Sequence, residues 1–265
     1  MRPSSPPATD AATTATGRSP GLAPTSARAA LFLVPHPDDE TLAAGVLLAG
    51  HAAAGREVHI LLLTRGEKSA VKDILNGVRT SHWWGVPHDP TVEGYAALTE
   101  RTLGAARYRE LVAAAAALGV TEDRIHEAGL PNDGVTVEEV KAAVVATADA
   151  IGGDLGLWAP SYTVDDHPDH LAAGEAVRQL GLDDPIRWGS CRYYVLPPYW
   201  SDPRLGSVDW CWDDPMESET AARARNACRA YGSWQPQAGV FACGYHSVYA
   251  MFRQIDANPR SLTHE

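Results

Sequence analysis

Short apolar segments alternate with longer helical patterns along the first two-thirds of the chain. Five short segments, most of them strongly apolar, are strand candidates: 29–34, 58–63, 124–128, 155–159 and 191–195. Five segments rich in Ala, Leu or Val predict helices: 41–54, 99–118, 137–151, 171–180 and 217–231. Strands that are apolar throughout belong to sheets that are covered on both faces. The alternation therefore predicts an α/β fold with a mostly parallel sheet and helices on both faces.

Three segments fall outside this alternation. Residues 1–28 begin with a stretch rich in Pro, Ala, Ser and Thr that lacks the apolar run of a secretory signal. We expect these residues to be a disordered tail before one domain over 29–265. Residues 67–98 carry few regular signals and contain Trp83 and Trp84. The part after residue 195 is rich in Trp, Tyr and Pro, and beyond the helix at 217–231 its pattern predicts no further element.

Charge and composition indicate which kinds of molecule this protein binds. The formal net charge of −11 and the absence of clustered Lys and Arg argue against a nucleic-acid partner. No apolar stretch approaches the roughly 20 residues that span a bilayer. The four cysteines show no CxxC pairing, which favours free thiols over a zinc site or a disulfide framework. We therefore predict a cytoplasmic protein with a small-molecule partner.

Candidate chemistry follows two of the predicted strands. Residues 35–40 (Pro-His-Pro-Asp-Asp-Glu) come directly after the first strand, and residues 167–170 (His-Pro-Asp-His) follow the strand at 155–159. Ligands in parallel sheets gather at the carboxyl ends of strands, so the two motifs are expected to meet there. Either motif alone would fit a structural role, such as acidic residues complementing a helix dipole. Together they predict a site.

The residue types of the two motifs point to a metal. His36, Asp39 and His170 would form a facial set of ligands with open positions, which suits Zn²⁺ and also Fe²⁺. Asp38 could accept a proton from a metal-bound water as general base. His167 could reach the site without ligating, and as an imidazolium it could stabilise an oxyanion or protonate a leaving amine. This combination predicts metal-assisted hydrolysis.

The two motifs together resemble the LmbE-like, or PIG-L, family of zinc-dependent N-acetylglucosamine deacetylases. The resemblance runs from about residue 29 to about residue 180 and includes residues 64–67, 107–111 and 130–134. It implies a Rossmann-like sheet without a glycine-rich dinucleotide loop. It also implies residue roles: zinc ligands His36, Asp39 and His170, base Asp38, oxyanion and leaving-group partner His167, and substrate-binding Arg107 and Asp133.

The resemblance predicts removal of an N-acetyl or other N-acyl group from a glucosamine-type sugar. Trp83 and Trp84 could offer flat faces to a sugar or an aromatic aglycone, but tryptophan is largely buried on average, which favours a core position for one or both. An aromatic rim favours a glycoside of an antibiotic aglycone. The alternatives are an inositol glycoside or a thiol conjugate of mycothiol metabolism, and more remotely an Fe²⁺ oxygenase or an inactive sugar-binding module.

Overall fold

The computed structural model describes residues 27–215 and 217–265 of the chain. The predicted disordered tail lies outside the described residues except for its last two. The strands are β1 (Ala29–Val34), β2 (Glu57–Leu62), β3 (Ile125–Glu127), β4 (Leu155–Pro160), β5 (Cys191–Val195), β6 (Trp210–Asp213), β7 (Trp234–Gln235), β8 (Val240–Phe241) and β9 (Ser261–His264). The helices are α1 (Asp39–Leu42), α2 (Gly45–Ala53), α3 (Val71–Leu75), α4 (Pro90–Glu93), α5 (Glu100–Leu118), α6 (Val137–Ile151), α7 (Pro168–Asp183), α8 (Pro185–Trp188), α9 (Ser218–Ala230) and α10 (Cys243–Ala257).

The main sheet is parallel over most of its width. Its strand order is β3-β2-β1-β4-β5-β9-β6. The pairs β3–β2, β2–β1, β1–β4 and β4–β5 are parallel, whereas β9 runs antiparallel to both β5 and β6. The predicted α/β fold, with a mostly parallel sheet and helices on both faces, is therefore confirmed. The antiparallel edge is an addition that the apolar pattern did not predict.

The central strand β1 separates two hydrophobic layers, and every residue in it is buried. Phe32 and Val34 point to one face, where they join apolar side chains of α2, α5, α9 and α10. Leu31 and Leu33 point to the other face, which α6 and α7 cover. Because successive side chains of a strand alternate between faces, a strand that is buried on both sides must be apolar throughout. This explains the continuous apolar run at 29–34.

Helix boundaries follow local capping chemistry. Thr99 caps α5 in a capping box with Thr102, and Thr136 caps α6 in a capping box with Glu139. The predicted helix over 171–180 begins earlier, at Pro168, because proline suits the first helical turn and His167 caps it.

The helix predicted over 41–54 is broken into α1 and α2. Ala43 and Ala44 leave regular helical geometry at the break. The buried side chains of α1 hold the turn after β1, because Asp39 accepts the backbone N–H of His36 and Glu40 accepts that of Asp38. Within 27–215 and 217–265, none of the helices has the length and apolar character needed to cross a bilayer.

Candidate active site

The two sequence motifs meet between β1 and β4, at the topological switch point of the sheet. From β1 the chain continues to β2 on one side, whereas from β4 it continues to β5 on the other. Adjacent parallel strands whose connections diverge leave a crevice at their carboxyl ends. His36 follows β1 and His170 lies in the first turn of α7, after β4. The fold therefore brings together residues that are 134 positions apart.

Three potential ligand atoms converge in this crevice. Nδ1 of His36 lies 3.1 Å from Nε2 of His170, and Oδ2 of Asp39 lies 3.2 Å from Nε2 of His170 and 3.5 Å from Nδ1 of His36. Ligands about 2.0–2.1 Å from a tetrahedral ion are roughly 3.3 Å apart. The three distances match that spacing, so this donor set fits a metal ion such as Zn²⁺ without rearrangement.

Two aspartates orient the imidazole ligands. Nε2 of His36 contacts Oδ2 of Asp169 at 3.2 Å, and Nδ1 of His170 contacts Oδ2 of Asp165 at 2.9 Å. A hydrogen bond from each of these nitrogens leaves the opposite nitrogen free to bind a metal, which is the usual outer support of histidine ligands. Sequence reasoning did not assign roles to Asp165 and Asp169. The sequence signal for such roles was position alone: Asp169 lies within the His-Pro-Asp-His motif, and Asp165 lies two residues before it.

The electrostatics of the crevice favour a cation. Burial alone would raise the pKa of Asp39, but the charge of His170 and hydrogen bonds from both imidazoles hold it well below its usual range. Burial acts to lower the pKa of His170, but the Asp39 and Asp165 carboxylates outweigh it and raise that pKa to about 10. The carboxylates therefore stabilise positive charge at this position, whether a proton or a metal ion supplies it.

Asp38 lies beside the ligand atoms but faces a different partner. Its Oδ2 accepts a hydrogen bond from Nη2 of Arg107 at 3.2 Å. Burial raises the pKa of Asp38 to about 6, against the lowering effect of the Arg107 guanidinium. A carboxylate with a pKa near the working pH is suited to accept a proton and return it.

His167 caps α7 in a way that fixes its tautomer. Its Nδ1 accepts a hydrogen bond from the backbone N–H of Asp169 at 3.2 Å. The neutral ring therefore carries its proton on Nε2, which lies 3.9 Å from Oδ1 of Asp133. Burial, together with the nearby His36 and His170, lowers the pKa of His167. The ring is poised to donate a hydrogen bond from Nε2 without being an imidazolium.

A second combination of ligand atoms is also close. One ring nitrogen from each of His36, His167 and His170 lies within 4.8 Å of the others. To use Nδ1 for a metal, His167 would have to give up its cap on α7. To bind a metal through Nε2, His167 would have to carry its proton on Nδ1. That proton would then point at the backbone N–H of Asp169, and the hydrogen bond between them would be lost. The hydrogen-bond geometry thus favours Asp39 over His167 as third ligand.

The ligand atoms open into a cavity of about 670 Å³, a volume that includes solvent at its mouth. One wall is polar and includes Lys68, Asn132 and Asp133. An apolar wall comes from the C-terminal third of the chain, with Leu196, Val248 and Met251. This size is within the range of small-molecule sites.

Arg107 lines the cavity, but most of its hydrogen bonds are internal. Besides Asp38, its guanidinium donates to the carbonyl oxygens of Gly66 at 2.9 Å and Pro37 at 2.7 Å. Gly66 has a φ of 60°, and a Cβ there would lie 1.8 Å from Nη1 of Arg107. Only glycine therefore allows this approach, which accounts for the glycine in the Thr-Arg-Gly-Glu segment after β2. The structure places Arg107 as a support for Asp38, and its predicted contact with substrate stays a prediction.

Trp83 and Trp84 lie in an aromatic cluster and are not among the residues that line this cavity. Trp83 packs against His246 with ring centroids 4.9 Å apart, and Trp84 packs against Trp234 at 5.0 Å. His246 immediately precedes Ser247 and Val248 of the cavity wall. The two tryptophans thus contact a residue next to the cavity wall, and their predicted contact with substrate stays a prediction.

Comparison with known proteins decides the family. The profile described as "PIG-L: GlcNAc-PI de-N-acetylase" matches residues 31–180, more than half of the chain. The chain belongs to the PIG-L family. The matched region contains most of β1, all of β2 to β4, both motifs and most of α7. It therefore includes every residue to which the resemblance gave a role. The C-terminal apolar wall lies outside it.

Two relatives of the chain are named for the same substrate. The chain is 30% identical over 249 residues to 1D-myo-inositol 2-acetamido-2-deoxy-alpha-D-glucopyranoside deacetylase 2 of Frankia casuarinae, covering 83% of this chain and 66% of that protein. It therefore spans slightly less than two-thirds of that relative. It is also 30% identical over 257 residues to the deacetylase of the same substrate name in Rhodococcus opacus, covering 78% of this chain and 82% of that one.

The fold is shared with a solved deacetylase. The structure of a deacetylase from the biosynthesis pathway of teicoplanin superposes with a TM-score of 0.62 at 16% identity, covering 89% of this chain and 96% of that one. At this identity the likeness shows the fold alone. Together with the family profile it places the strands and helices of this chain in a known deacetylase architecture.

Proposed function

We propose that this PIG-L family protein is a metal-dependent hydrolase that removes the N-acetyl group of a glucosamine-type sugar. The observation that carries the proposal is the convergence of three ligand atoms, 3.1–3.5 Å apart, beside the buried carboxylate of Asp38. Ligands and base open into one cavity. Amide hydrolysis needs an activated water, a base and a donor for the developing oxyanion, and this site offers residues for each.

His36, Asp39 and His170 would hold the metal ion. Zn²⁺ fits this mixed nitrogen and oxygen set, and Fe²⁺ would accept it as well. When bound, the ion lowers the pKa of a coordinated water toward about 7 and polarises the amide carbonyl. The aspartates behind the imidazoles keep both ligand nitrogens directed at it.

Asp38 would take the proton of the attacking water. The same proton is the one that the leaving amine needs when the C–N bond breaks, so a single carboxylate can accept it and deliver it. The pKa of about 6 that burial gives Asp38 suits both transfers near neutral pH. The guanidinium of Arg107 holds the carboxylate in place between the two steps.

His167 would stabilise the oxyanion. Because its Nδ1 accepts the Asp169 N–H, its Nε2 carries the proton. From its place in the cavity lining, this N–H can donate to the oxygen of the tetrahedral intermediate. This role requires only the neutral ring. It differs in that respect from the imidazolium that the sequence motif led us to expect.

For the substrate, the names of the relatives favour an inositol glycoside, the alternative prediction from the sequence, over an antibiotic-type glycoside, the first prediction. Both relatives are named for an inositol glycoside of N-acetylglucosamine, and we propose the same class for this chain. Lys68, Asn132 and Asp133 supply charged and amide groups for sugar hydroxyls, with Asp133 exposed. One observation keeps the antibiotic-type glycoside as second candidate: the apolar wall of Leu196, Val248 and Met251 offers contact for a hydrophobic aglycone.

The proposal is tested by acetate release from a panel of substrates. The protein is loaded with Zn²⁺ and assayed with N-acetylglucosamine, its inositol glycoside and an aromatic N-acetylglucosaminide. We expect kcat/KM to be highest for the inositol glycoside. A preference for the aromatic glycoside would instead support the second candidate. No release from any member by protein with one bound metal ion would contradict the deacetylase proposal.

A further inference from the structure

Asp38 has a backbone conformation that residues with a Cβ rarely adopt. Its φ is 128° and its ψ is −28°, outside the main allowed regions. Such a conformation persists only where surrounding contacts enforce it. The contacts on the backbone of Asp38 are therefore part of what aims its carboxylate.

The peptide group between Pro37 and Asp38 is held at both ends. Its carbonyl oxygen accepts a hydrogen bond from Nη2 of Arg107 at 2.7 Å. Its N–H donates to Oε2 of Glu40 at 3.0 Å. Two side chains thus fix the plane of one peptide group, and the rotation about its bonds sets the direction of the Asp38 side chain.

Glu40 is in turn held by a residue that is distant in the sequence. Its side chain is fully buried. Its Oε1 accepts hydrogen bonds from the hydroxyls of Thr41 at 2.6 Å and Tyr231 at 2.8 Å. Tyr231 follows α9, is 1% exposed and packs its ring on Phe252 of α10 with centroids 5.0 Å apart. It lies outside residues 31–180, the part matched by the family profile.

We propose that Glu40 and Tyr231 are positioning residues of this site. The Tyr231 hydroxyl fixes the Glu40 carboxylate, and Glu40 holds the backbone of Asp38 in the strained conformation that directs its carboxylate to Arg107. This inference rests on the proposed function, because it explains the placement of the general base. Neither residue is among those that line the cavity, so both act through Asp38 and not on the substrate.

Tyr194 provides a matched control for Tyr231. It is also a fully buried tyrosine, and its hydroxyl donates one hydrogen bond, at 2.6 Å, to the carbonyl oxygen of Leu33 in β1. Replacing either tyrosine by phenylalanine removes one buried hydroxyl and keeps the ring. A general loss of stability would affect both variants alike, whereas a positioning role would affect the reaction only in Tyr231→Phe.

The test measures kcat, KM and bound metal for the two variants. For Tyr231→Phe we expect kcat to fall about tenfold, with KM and metal content unchanged, because a small displacement of a catalytic group is costly. For Tyr194→Phe we expect kcat within about twofold of wild type. Equal effects in the two variants, or an unchanged kcat in Tyr231→Phe, would overturn the proposal.

Glu40 itself gives a second, independent comparison. In Glu40→Gln the amide oxygen can still accept the Asp38 N–H while the amide nitrogen donates to the two hydroxyls, so we expect kcat within about threefold of wild type. Glu40→Leu removes the acceptor, and we expect a loss of about 100-fold. Equal kcat values for Gln and Leu would contradict the positioning role.

A crystal structure of Tyr231→Phe separates this inference from the proposed function. If the wild-type protein releases acetate from no substrate, the proposed function fails but the positioning role is still tested. Relaxation of Asp38 away from a φ near 128°, or loss of its contact with Arg107, would support the role. An unchanged Asp38 in that variant would overturn it.

Discussion

Asp169 contacts Nε2 of His36 at 3.2 Å across 133 positions of the chain. The same carboxylate accepts the backbone N–H groups of Asp133 at 3.0 Å and Val135 at 3.2 Å. One side chain thus connects the end of β1, the loop before α6 and the first turn of α7. It links a proposed metal ligand to the loop that carries a proposed substrate-binding residue.

This relationship predicts a loss of metal affinity when Asp169 is changed. Asp169→Asn offers one carbonyl oxygen where the carboxylate offers two, so it cannot accept from His36 and both backbone groups. We expect the Kd for Zn²⁺ to rise about 10- to 100-fold, the range typical of outer partners of histidine ligands. Competition with a chromophoric chelator measures it. Asp166→Asn is the control, because Asp166 is exposed and pairs with Arg204; equal affinities in the two variants would refute the link.

The metal content of two variants distinguishes the two possible ligand sets, in which the third ligand is either Asp39 or His167. We expect His167→Ala to keep one metal ion per protein and to lose about 100-fold or more in kcat, because a donor to the oxyanion is removed. We expect Asp39→Ala to lose its metal. Both are measured by metal analysis after dialysis against a weak chelator. Loss of metal from His167→Ala with retention in Asp39→Ala would show that His167 is the third ligand.

A single glycine lets α7 approach the sheet closely enough to deliver His170. A Cβ on Gly174 would lie 2.5–2.8 Å from backbone atoms of Pro160 and Tyr162. Because backbone cannot move aside cheaply, we expect Gly174→Ala to reduce the free energy of unfolding by about 1–3 kcal/mol.

Gly181 on the same helix is the matched control. A Cβ there would have contacts of 3.4–3.5 Å, which are close to ordinary, so Gly181→Ala should gain helix propensity, up to about 1 kcal/mol. Urea denaturation of both variants measures the difference. A Gly174→Ala variant as stable as Gly181→Ala would contradict the close approach.

His51 predicts a pH dependence of stability. Its fully buried ring packs edge-on against Phe32 and Trp158, with centroids 5.7 and 5.5 Å away. Neither ring nitrogen has a hydrogen-bond partner within the described residues. Burial lowers the pKa of His51 to about 4 from 6.5. Between these pH values the unfolded chain binds a proton that the folded chain does not, so stability is lost as the pH falls below 6.5.

The measurement compares wild type with His51→Leu. Between pH 7 and pH 5 we expect wild type to lose about 2 kcal/mol more in the free energy of unfolding than the variant, from the shift of 1.36 kcal/mol per pH unit. Taking the difference removes the contributions of the other titrating groups. Parallel pH profiles for the two proteins would show that folding does not change the pKa of His51 and would contradict this account.

The parallel part of the fold and the proposed ligands could be predicted from the sequence. The strands β1 and β5 and the helix α6 have the predicted bounds. Strands buried on both faces leave a continuous apolar signal, and polar residues that follow such strands stand out. The two motifs therefore located the crevice, because parallel topology brings strand ends together.

The antiparallel edge gave no comparable signal. The strand β9 is entirely buried, yet its residues are Ser, Leu, Thr and His. Two of its polar side chains have distant partners: His264 contacts Ser161 at 2.8 Å, and Thr263 donates to Asp213 at 2.6 Å. Such pairings depend on the folded arrangement and leave no periodic pattern. The roles proposed for Asp165, Asp169 and Tyr231 also rest on contacts made only in the folded chain, so the sequence did not indicate them.

The most direct test of the account is acetate release from the inositol glycoside of N-acetylglucosamine by wild type and Asp38→Asn, each carrying one Zn²⁺ ion. Asp38 is placed as base and not as ligand, so the variant should bind metal normally. We expect its kcat to fall by about 10²- to 10⁴-fold. A variant that retains kcat within a few fold of wild type would contradict the proposed mechanism.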